Sequence, residues 1–193
     1  MHQREIRRQV FHLLYGPLII LLFQYHLIDI GFLFGVIIGG IFVSYLIKKE
    51  YLSHVAWVLS FFERDHHMKQ FPGRGILFFT LGAFLCLILF EAHIAYAGIL
   101  ILSVGDAVTN VIGRHYGRIQ TVLNPHKYLE GTFAGIILSI PIAYFFVPNL
   151  LAAISASCLA MFLEIPNIKI FGFEIDDNII IPVVASFTLH LFA

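Results

Sequence analysis

Residues 105–135 read GDAVTNVIGRHYGRIQTVLNPHKYLEGTFAG and decide the fold, because they place charged side chains between two strongly apolar runs. Asp106 directly follows the apolar run 95–104, and Glu130 lies just before the apolar run 132–147. A carboxylate at such a place in a bilayer is costly, so it usually faces a partner, a water-filled cavity or a ligand. The stretch therefore predicts an integral membrane enzyme with its chemistry at one membrane face.

The segment between these two carboxylates is polar and rich in glycine. Its cationic or titratable side chains are Arg114, Arg118, His126 and Lys127. Its glycines, counting the two that flank it, are Gly105, Gly113, Gly117 and Gly131. Glycine allows close backbone approach, and basic groups bind phosphate. This mixture suits a nucleotide triphosphate and its metal better than it suits lipid tails.

The composition of the whole chain also indicates a membrane protein. Of its 193 residues, 59% are hydrophobic and 12% are charged, and the mean hydropathy is +0.87. Soluble domains average roughly half apolar and about a quarter charged residues. The formal net charge of zero argues against a nucleic-acid partner. Cys86 and Cys158 lie in separate apolar runs, so neither a disulfide framework nor a zinc site is expected.

The apolar runs predict the number of membrane spans. A bilayer core about 30 Å thick needs roughly 20 helical residues. Seven runs approach this length, at residues 10–28, 30–47, 75–90, 93–112, 132–147, 150–165 and 178–192. A shorter run at 51–62 carries serine and histidine and is expected to lie at the interface. The predicted fold is all-α: a single membrane domain, residues 1–193, forming a bundle of about seven transmembrane helices.

The positions of lysine and arginine predict the orientation of this bundle. If the N-terminus is cytoplasmic, the inside segments are residues 1–9, 48–74, 113–131 and 166–177. Those segments contain all 12 lysines and arginines of the chain, and the outside turns contain none. Because cytoplasmic loops carry an excess of these residues, we expect a cytoplasmic N-terminus, an outside C-terminus and an active site at the cytoplasmic face.

Two polar clusters lie on predicted helix faces. Glu5, Arg8 and His12 are three and four residues apart, so they stack on one face. The plainer interpretation of these three residues is a basic membrane anchor with one ion pair.

The second cluster consists of Asp106, Asn110, Gly113 and Gly117, which share a face if their helix continues through them. Glycines at this spacing let another backbone or phosphate oxygens approach closely. A stripe of small residues for helix packing explains the glycines. It does not explain Asp106, so this face is interpreted as part of a site.

A third cluster opens the fifth predicted span. Glu130, Gly131 and Thr132 place an acceptor, a flexible backbone and a hydroxyl at a helix N-terminus, where backbone N–H groups favour anions. Lys127 adds a mobile positive charge for a phosphate. The P-loop pattern GxxxxGK[ST] is absent. An alternative for Thr132 is plain N-capping of the helix.

A fourth cluster consists of Glu164, Asp176, Asp177 and Asn178. Hard oxygen ligands of this kind suit Mg²⁺. Two adjacent acids at a helix N-terminus also stabilise the helix dipole, so one of them has a structural interpretation. Asp177 and Asn178 are the stronger candidates for a site.

These patterns occur together in a known order. GDAVTNVIGRHYG, HKYLEGTFAG and EIDDNIIIP resemble the motifs of CTP-dependent polyprenol and lipid kinases, which include dolichol kinase, phytol kinase and CTP-dependent diacylglycerol kinase. The N-terminal EIRRQVFHLLYG resembles their opening E-x-x-R-K-x-x-H-x-x-x-G, with Gln9 where lysine is usual. The resemblance runs from Glu5 to beyond Pro182, which is nearly the whole chain.

The resemblance implies a reaction and its cofactors. CTP would donate a phosphoryl group to the hydroxyl of a lipid alcohol from the bilayer: a polyprenol such as dolichol, geranylgeraniol or phytol, or diacylglycerol. Mg²⁺ would be held by Asp106 and Asp177, with Glu130 or Glu164 assisting. Asp106 or Glu130 would also orient the alcohol. Phosphoryl transfer needs positioning and charge neutralisation more than covalent help.

The resemblance also implies which residues bind the nucleotide and the lipid. Lys127, Arg114 and Arg118 would hold the triphosphate. The further candidates for nucleotide or substrate binding are Glu5, Arg8, His12, Asn110, Gly113, Gly117, Gly131, Thr132 and Asn178. Neither the lipid alcohol nor the oligomeric state follows from the sequence.

Two other functions fit parts of this pattern. A cytidylyltransferase that makes a CDP-lipid also uses CTP, a metal and a lipid, but it attacks the α-phosphate and releases pyrophosphate. A small cation-coupled transporter would use intramembrane acids as an ion pathway. Transporters often contain inverted repeats and broken helices. No internal repeat is evident in this chain, and its polar groups gather at one face, so the kinase interpretation is favoured.

Overall fold

The computed structural model describes residues 3–166, 168–170 and 173–193, and helices make up most of them. The first half contains α1 (Gln3–Gln24), α2 (Ile30–Lys48), α3 (Ser53–Leu59), α4 (Asp65–Gln70) and α5 (Arg74–Leu89). The second half contains α6 (Ala92–Leu100), a π-helical segment (Ile101–Asp106), α7 (Ala107–Tyr116), α8 (Leu129–Phe146), α9 (Leu150–Leu163) and α10 (Asp177–His190). A two-residue antiparallel pair, β1 (Lys169–Ile170) and β2 (Phe173–Glu174), lies between α9 and α10.

Apart from this short strand pair, the structure has the predicted architecture of a helical membrane protein. Among the described residues, four helices are long and apolar enough to cross a bilayer: Gln3–Gln24, Ile30–Lys48, Ala92–Tyr116 and Leu129–Phe146. Three shorter apolar helices accompany them: Arg74–Leu89, Leu150–Leu163 and Asp177–His190. Each corresponds to one of the seven apolar runs. Because the last three are shorter than a full span, seven crossings stay a prediction.

Short polar side chains start several of these helices. Asp29 Oδ1 accepts a hydrogen bond from the Phe32 N–H at 2.7 Å at the start of α2. Asn149 Oδ1 accepts from the Ala152 N–H at 3.2 Å at the start of α9. Such side chains satisfy backbone donors that have no partner within the helix.

The continuous helix formed by α6, the π-helical segment and α7 lies at the centre of the bundle. Ala95, Ile99 and Leu102 in it are completely buried. It is surrounded by α1, α5, α8 and α10, and α9 packs between α8 and α10. In contrast, α1 and α2 expose large apolar side chains such as Leu21 and Phe42. Apolar surface of this kind suits a helix that faces lipid.

Asp106 is the last residue of the π-helical segment. A π-helical turn contains one more residue than an α-helical turn and is frequent at functional sites. The segment also packs closely against α1, because a side chain at Gly16 would lie 1.8 Å from Ser103 Oγ. His12 lies one turn before Gly16, so this contact brings His12 beside Asp106.

Helix α1 contains Glu5, Arg8 and His12, as their spacing of three and four residues predicts. Two other local predictions need correction. The helix containing Asp106 and Asn110 ends at Tyr116, and Gly117 has extended backbone angles, so Gly117 does not share their face. Thr132 does not cap α8. That helix begins at Leu129, and the Thr132 hydroxyl donates to the Tyr128 carbonyl at 3.4 Å.

The run 51–62 contains only the seven-residue helix α3, which has no buried residue among those described. This agrees with the prediction that the run does not span the membrane.

Replacing Gly131 with Ala is expected to destabilise the fold. A Cβ at Gly131 would lie 2.3 Å from the Thr109 carbonyl oxygen, which is too close for α7 and α8 to keep their spacing. Overpacking of this kind costs about 1–3 kcal/mol. Thermal unfolding in detergent measures it, with Gly35→Ala as the control because no atom lies within 4 Å of a Cβ there. Equal melting temperatures for the two variants would show that the helices can separate without cost.

The predicted topology can be tested with single cysteines. Glu91 lies in the turn between α5 and α6, and Val122 is fully exposed in the 117–128 loop. We expect Glu91→Cys to react with an impermeant reagent from outside the cell and Val122→Cys only after the membrane is opened. Both cysteines are introduced into a Cys158→Ala protein. The other native cysteine, Cys86, can stay because it is fully buried. Labelling of both positions from the same side would refute the orientation.

Candidate active site

A polar cavity of about 480 Å³ lies at one end of the bundle, where the first half of α1, the end of α7, the 117–128 loop and the start of α10 meet. Its wall includes five basic side chains: Arg8, Arg64, Arg74, Arg114 and Lys127. It also includes four acidic side chains: Glu63, Glu164, Asp176 and Asp177. The cavity therefore offers both positive charge, which binds phosphate, and carboxylates, which bind a cation.

Lys127 is positioned by its own loop and by a buried partner. The Thr121 N–H donates to the Lys127 carbonyl at 2.9 Å, and the Thr121 hydroxyl donates to the Asn124 carbonyl at 2.7 Å. The Lys127 ammonium contacts the carboxylate of Glu164, which directly follows α9 and is 4% exposed. The loop thus delivers one ammonium group to the floor of the cavity.

The charges of this pair depend on each other. Burial by itself lowers the pKa of Lys127, but the Glu164 carboxylate, followed by Asp106 and Asp177, outweighs burial and raises that pKa above its ordinary value. Burial raises the pKa of Glu164 to about 8, against the opposing effect of the Lys127 ammonium. Glu164 Oε2 is buried and has no hydrogen-bond partner within the described residues. This oxygen is therefore available to a cation that enters the cavity.

Asp106 lies behind the cavity wall and faces His12. It is 2% exposed, and its Oδ1 accepts a hydrogen bond from Asn110 Nδ2 at 2.7 Å. Its Oδ2 is 3.9 Å from His12 Nδ1. The His12 ring packs edge-on against Phe79 at 5.4 Å and lines the cavity. Asp106 can therefore act on a ligand through His12 and Asn110.

Three arginines converge on one carboxylate at the mouth of the cavity. Arg8 Nη2 lies 2.6 Å from Glu5 Oε1, Arg64 Nη2 lies 3.3 Å from the same oxygen, and Arg114 Nη1 lies 3.5 Å from Oε2. Gln9 Nε2 also donates to Glu5 Oε1 at 3.1 Å. One carboxylate cannot neutralise three guanidinium groups, so this end of the cavity keeps an excess of positive charge. A simple membrane anchor with one ion pair, the plainer interpretation of Glu5 and Arg8, does not explain why three arginines contact the same carboxylate.

The start of α10 carries two adjacent acids, Asp176 and Asp177, and Asp177 Oδ1 accepts from the Asn178 N–H at 3.0 Å. Asp176 Oδ1 accepts from Asn178 Nδ2 at 2.6 Å, and its Oδ2 accepts from Arg74 Nε at 2.9 Å. Asp176 therefore holds the start of α10 to α5. Asp177 and Asn178 line the cavity, and the buried Asn178 Oδ1 has no hydrogen-bond partner within the described residues.

Two charged residues of the cavity wall, Glu63 and Arg64, were missed by sequence reasoning. Glu63 accepts hydrogen bonds from the N–H groups of Gly73 at 2.6 Å and Gly75 at 3.0 Å, which fixes the 60–73 loop to α5. Burial raises the pKa of Glu63, against the opposing effect of these two donors. The only sequence signal of Arg64 was its place in a predicted inside loop, where lysine and arginine are common in any membrane protein.

Several predicted site residues lie outside the cavity wall. The Glu130 carboxylate accepts from the backbone N–H of Arg118 at 2.9 Å and Ile119 at 3.1 Å, so it fastens the start of the loop. The Arg118 side chain is exposed beyond the wall. Gly113 and Gly131 lie in the contact between α7 and α8, as the helix-packing alternative predicts for glycines at this spacing.

A preformed metal cluster is absent from the part of the chain that the structure describes: no three His, Cys, Asp or Glu side chains there are grouped to hold an ion. Mg²⁺ usually binds through one or two carboxylates together with substrate phosphates. The unpartnered oxygens of Glu164 and Asn178, beside Asp177, match that smaller requirement. The residues present thus fit a cation that arrives with a nucleotide.

Comparison with known proteins places the chain in a family. Over 191 residues it is 31% identical to an uncharacterized protein of Methanocaldococcus jannaschii, covering 97% of this chain and 93% of that protein. The chain belongs to the same family. No family model matches it, and no solved structure matches it.

Relatives with lower identity to this chain carry the names of lipid kinases. A probable chloroplastic phytol kinase of Glycine max is 29% identical over 61% of the chain and 44% of its own length. A CTP-dependent diacylglycerol kinase of Schizosaccharomyces pombe is 27% identical over 61% of the chain and 59% of its own length. The chain thus spans about half the length of these kinases. The resemblance to lipid kinases is confirmed at this level.

Proposed function

We propose that this chain transfers the γ-phosphoryl group of CTP to the hydroxyl of a membrane lipid alcohol, at the cytoplasmic end of its helix bundle. The observation that carries the proposal is one cavity in which Arg8, Arg64 and Arg114 converge beside Lys127 and a set of carboxylates. The names of two relatives, a phytol kinase and a CTP-dependent diacylglycerol kinase, support the acceptor and the donor.

The basic residues hold and neutralise the triphosphate. Phosphoryl transfer passes through a loose transition state, so catalysis depends on positioning and on charge stabilisation. Arg8, Arg64 and Arg114 bind phosphate oxygens at the mouth of the cavity, where guanidinium groups form paired hydrogen bonds. Lys127, deeper in the cavity, meets the bridging oxygen on which negative charge develops as the γ-phosphoryl group leaves.

Asp177, Glu164 and Asn178 would hold Mg²⁺, which supplies neutralisation of phosphate charge when bound. The support for this set is chemical: hard oxygens line one side of the cavity, and two of them have no partner among the described residues. The sequence also indicated Asp106 as a metal ligand. We assign it instead to the acceptor side, because one of its oxygens accepts from Asn110 and the other faces His12.

His12 and Asp106 orient the acceptor alcohol. The lipid hydroxyl reaches His12 from the bilayer, its oxygen forms the new bond to the γ-phosphorus, and the bond from that phosphorus to the bridging oxygen of CDP breaks. The hydroxyl proton passes to the His12 ring, and the Asp106 carboxylate stabilises the positive charge that forms there. Glu130 is not needed for this step, because its carboxylate is bound by the loop backbone.

Nucleotide products give the first test of this function. Purified protein in lipid nanodiscs, supplied with Mg²⁺ and CTP, is expected to form CDP only when a lipid alcohol such as phytol, geranylgeraniol, dolichol or diacylglycerol is present. ATP in place of CTP measures nucleotide preference. Release of pyrophosphate instead of CDP would indicate a cytidylyltransferase and overturn the proposal.

A further inference from the structure

A second cavity, of about 920 Å³, adjoins the first at the start of α1 and along α3. The two cavities share five wall residues: Arg8, Phe62, Glu63, Arg64 and Arg114. Ligand sites of drug-sized molecules occupy about 300–1,000 Å³. A molecule that binds the three converging arginines can therefore extend into either cavity, and the second is the roomier of the two.

The outer wall of the second cavity is aromatic. Trp57 lies in α3 and is 65% exposed, and its ring packs at a right angle against Phe61 with 4.6 Å between centroids. The Arg7 guanidinium lies 5.6 Å from the Phe61 centroid. Neither ring belongs to the hydrophobic core. Phe61 already contacts Trp57 and Arg7, so Trp57 is the ring with the more accessible surface for a flat ligand.

The rest of this wall is strongly basic. Its guanidinium groups belong to Arg4, Arg7, Arg8, Arg64 and Arg114. Its two carboxylates belong to Glu5 and Glu63, and Glu63 is already bound by two backbone N–H groups. A wall with five guanidinium groups and two carboxylates favours a polyanion. Aromatic rings beside arginines favour a polyanion that carries a flat ring, because rings stack on both kinds of group.

We infer that the second cavity binds the base and ribose of the nucleotide, with Trp57 and Phe61 against the pyrimidine and the shared arginines on the triphosphate. This inference rests on the proposed function, because it completes the donor site of the same reaction. It divides the nucleotide between the two cavities: the γ-phosphate points toward Lys127 in the first, and the base occupies the second. The short helix α3, expected from the sequence to be merely interfacial, is then part of the nucleotide site.

Trp57 is the single tryptophan of the chain, so its fluorescence reports on this site directly. Titration of the protein in neutral-lipid nanodiscs with CTP is expected to quench Trp57 saturably. Inorganic tripolyphosphate, which has the phosphates but no base, is expected to compete with CTP and cause much less quenching. Quenching by vesicles of anionic lipid, with no response to CTP, would show a membrane-contact helix and overturn the inference.

Kinetics of variants separate this inference from the proposed function. Trp57→Leu is expected to raise KM for CTP by about tenfold while kcat changes little, because loss of stacking weakens binding of the base and leaves the reacting phosphates in place. Trp57→Phe should recover most of the loss. Tyr51→Leu is the matched control, because Tyr51 is an exposed aromatic residue just before α3 and outside both cavity walls.

Two outcomes have different meanings. If the protein phosphorylates a lipid alcohol with CTP but Trp57→Leu leaves KM unchanged, the base site is refuted and the kinase function stands. If the wild-type protein neither phosphorylates a lipid nor responds to CTP, the proposed function fails and this inference fails with it.

Discussion

Replacing Asp106 with Asn is expected to lower the turnover number at least a hundredfold, which is about 2.7 kcal/mol of activation free energy. Asparagine keeps the shape of the side chain but removes the charge that acts on His12, 3.9 Å away. The folded yield should stay near normal, because the substitution removes a charge from a position that is only 2% exposed. The measurement is the initial rate of lipid phosphorylation together with the melting temperature.

Two further variants decide how this loss arises. Asp29→Asn is the matched control, because Asp29 caps α2 away from the cavity and asparagine caps equally well. If Asp106 acts through His12, the double variant His12→Asn/Asp106→Asn should be little slower than the slower single variant. An Asp106→Asn protein that keeps more than about a tenth of the wild-type rate, or losses that multiply in the double variant, would contradict the assigned role.

Replacing Lys127 with Ala is expected to lower turnover by a similar or larger factor, with a smaller change in KM for CTP. The ammonium group contacts Glu164 in the structure and would meet the leaving phosphate in the reaction, so its contribution grows toward the transition state. Lys127→Arg should recover only part of the rate, because a planar guanidinium does not replace a compact ammonium.

The fold of the Lys127 variant is expected to survive. Burial raises the pKa of Glu164 and the Lys127 ammonium opposes this, so removing the ammonium raises that pKa further and lets the carboxyl take up a proton instead of remaining a buried charge. Lys49→Ala is the control for loss of a lysine, since Lys49 is exposed and outside both cavity walls. A Lys127→Ala protein that is folded and changes only KM would show that the lysine binds nucleotide without assisting the transfer.

The helical framework could be predicted because each described helix that is long or strongly apolar coincides with an apolar run of the sequence. The predicted run 30–47 corresponds to the helix Ile30–Lys48, and the run 132–147 corresponds to Leu129–Phe146. The contacts at the polar ends could not be predicted in the same way. Helix α1 begins at Gln3, and its Glu5 forms ion pairs with arginines from other elements. Composition alone does not register such a long-range pairing.

Some residues of the cavity wall could also be recognised from the apolar runs. Lys127, Glu164, Asp177 and Asn178 stood out as polar residues at the ends of apolar runs, and the structure brings them to one cavity. Arg64 did not stand out, because nothing in a loop sequence shows that its side chain reaches Glu5, 59 residues away.

The loop contacts of Glu130 and the π-helical segment also could not be read from the sequence. The family resemblance implied that Glu130 assists the metal or orients the alcohol. The structure places it 2.9 Å from the Arg118 N–H, so its visible contacts are with loop backbone. The π-helical turn before Asp106 has no distinct residue pattern. This segment packs against α1, where Gly16 allows Ser103 to approach.

The position of the transferred label tests the central claim most directly. Two samples of CTP, labelled at the γ- or the α-phosphate, are incubated separately with the purified protein and a lipid alcohol, and the lipid is then extracted. We expect γ-label to appear in the lipid in amounts equal to the CDP formed, and α-label to stay in the aqueous phase. Label from the α-phosphate in the lipid, or no lipid label from either sample across the alcohol panel, would contradict it.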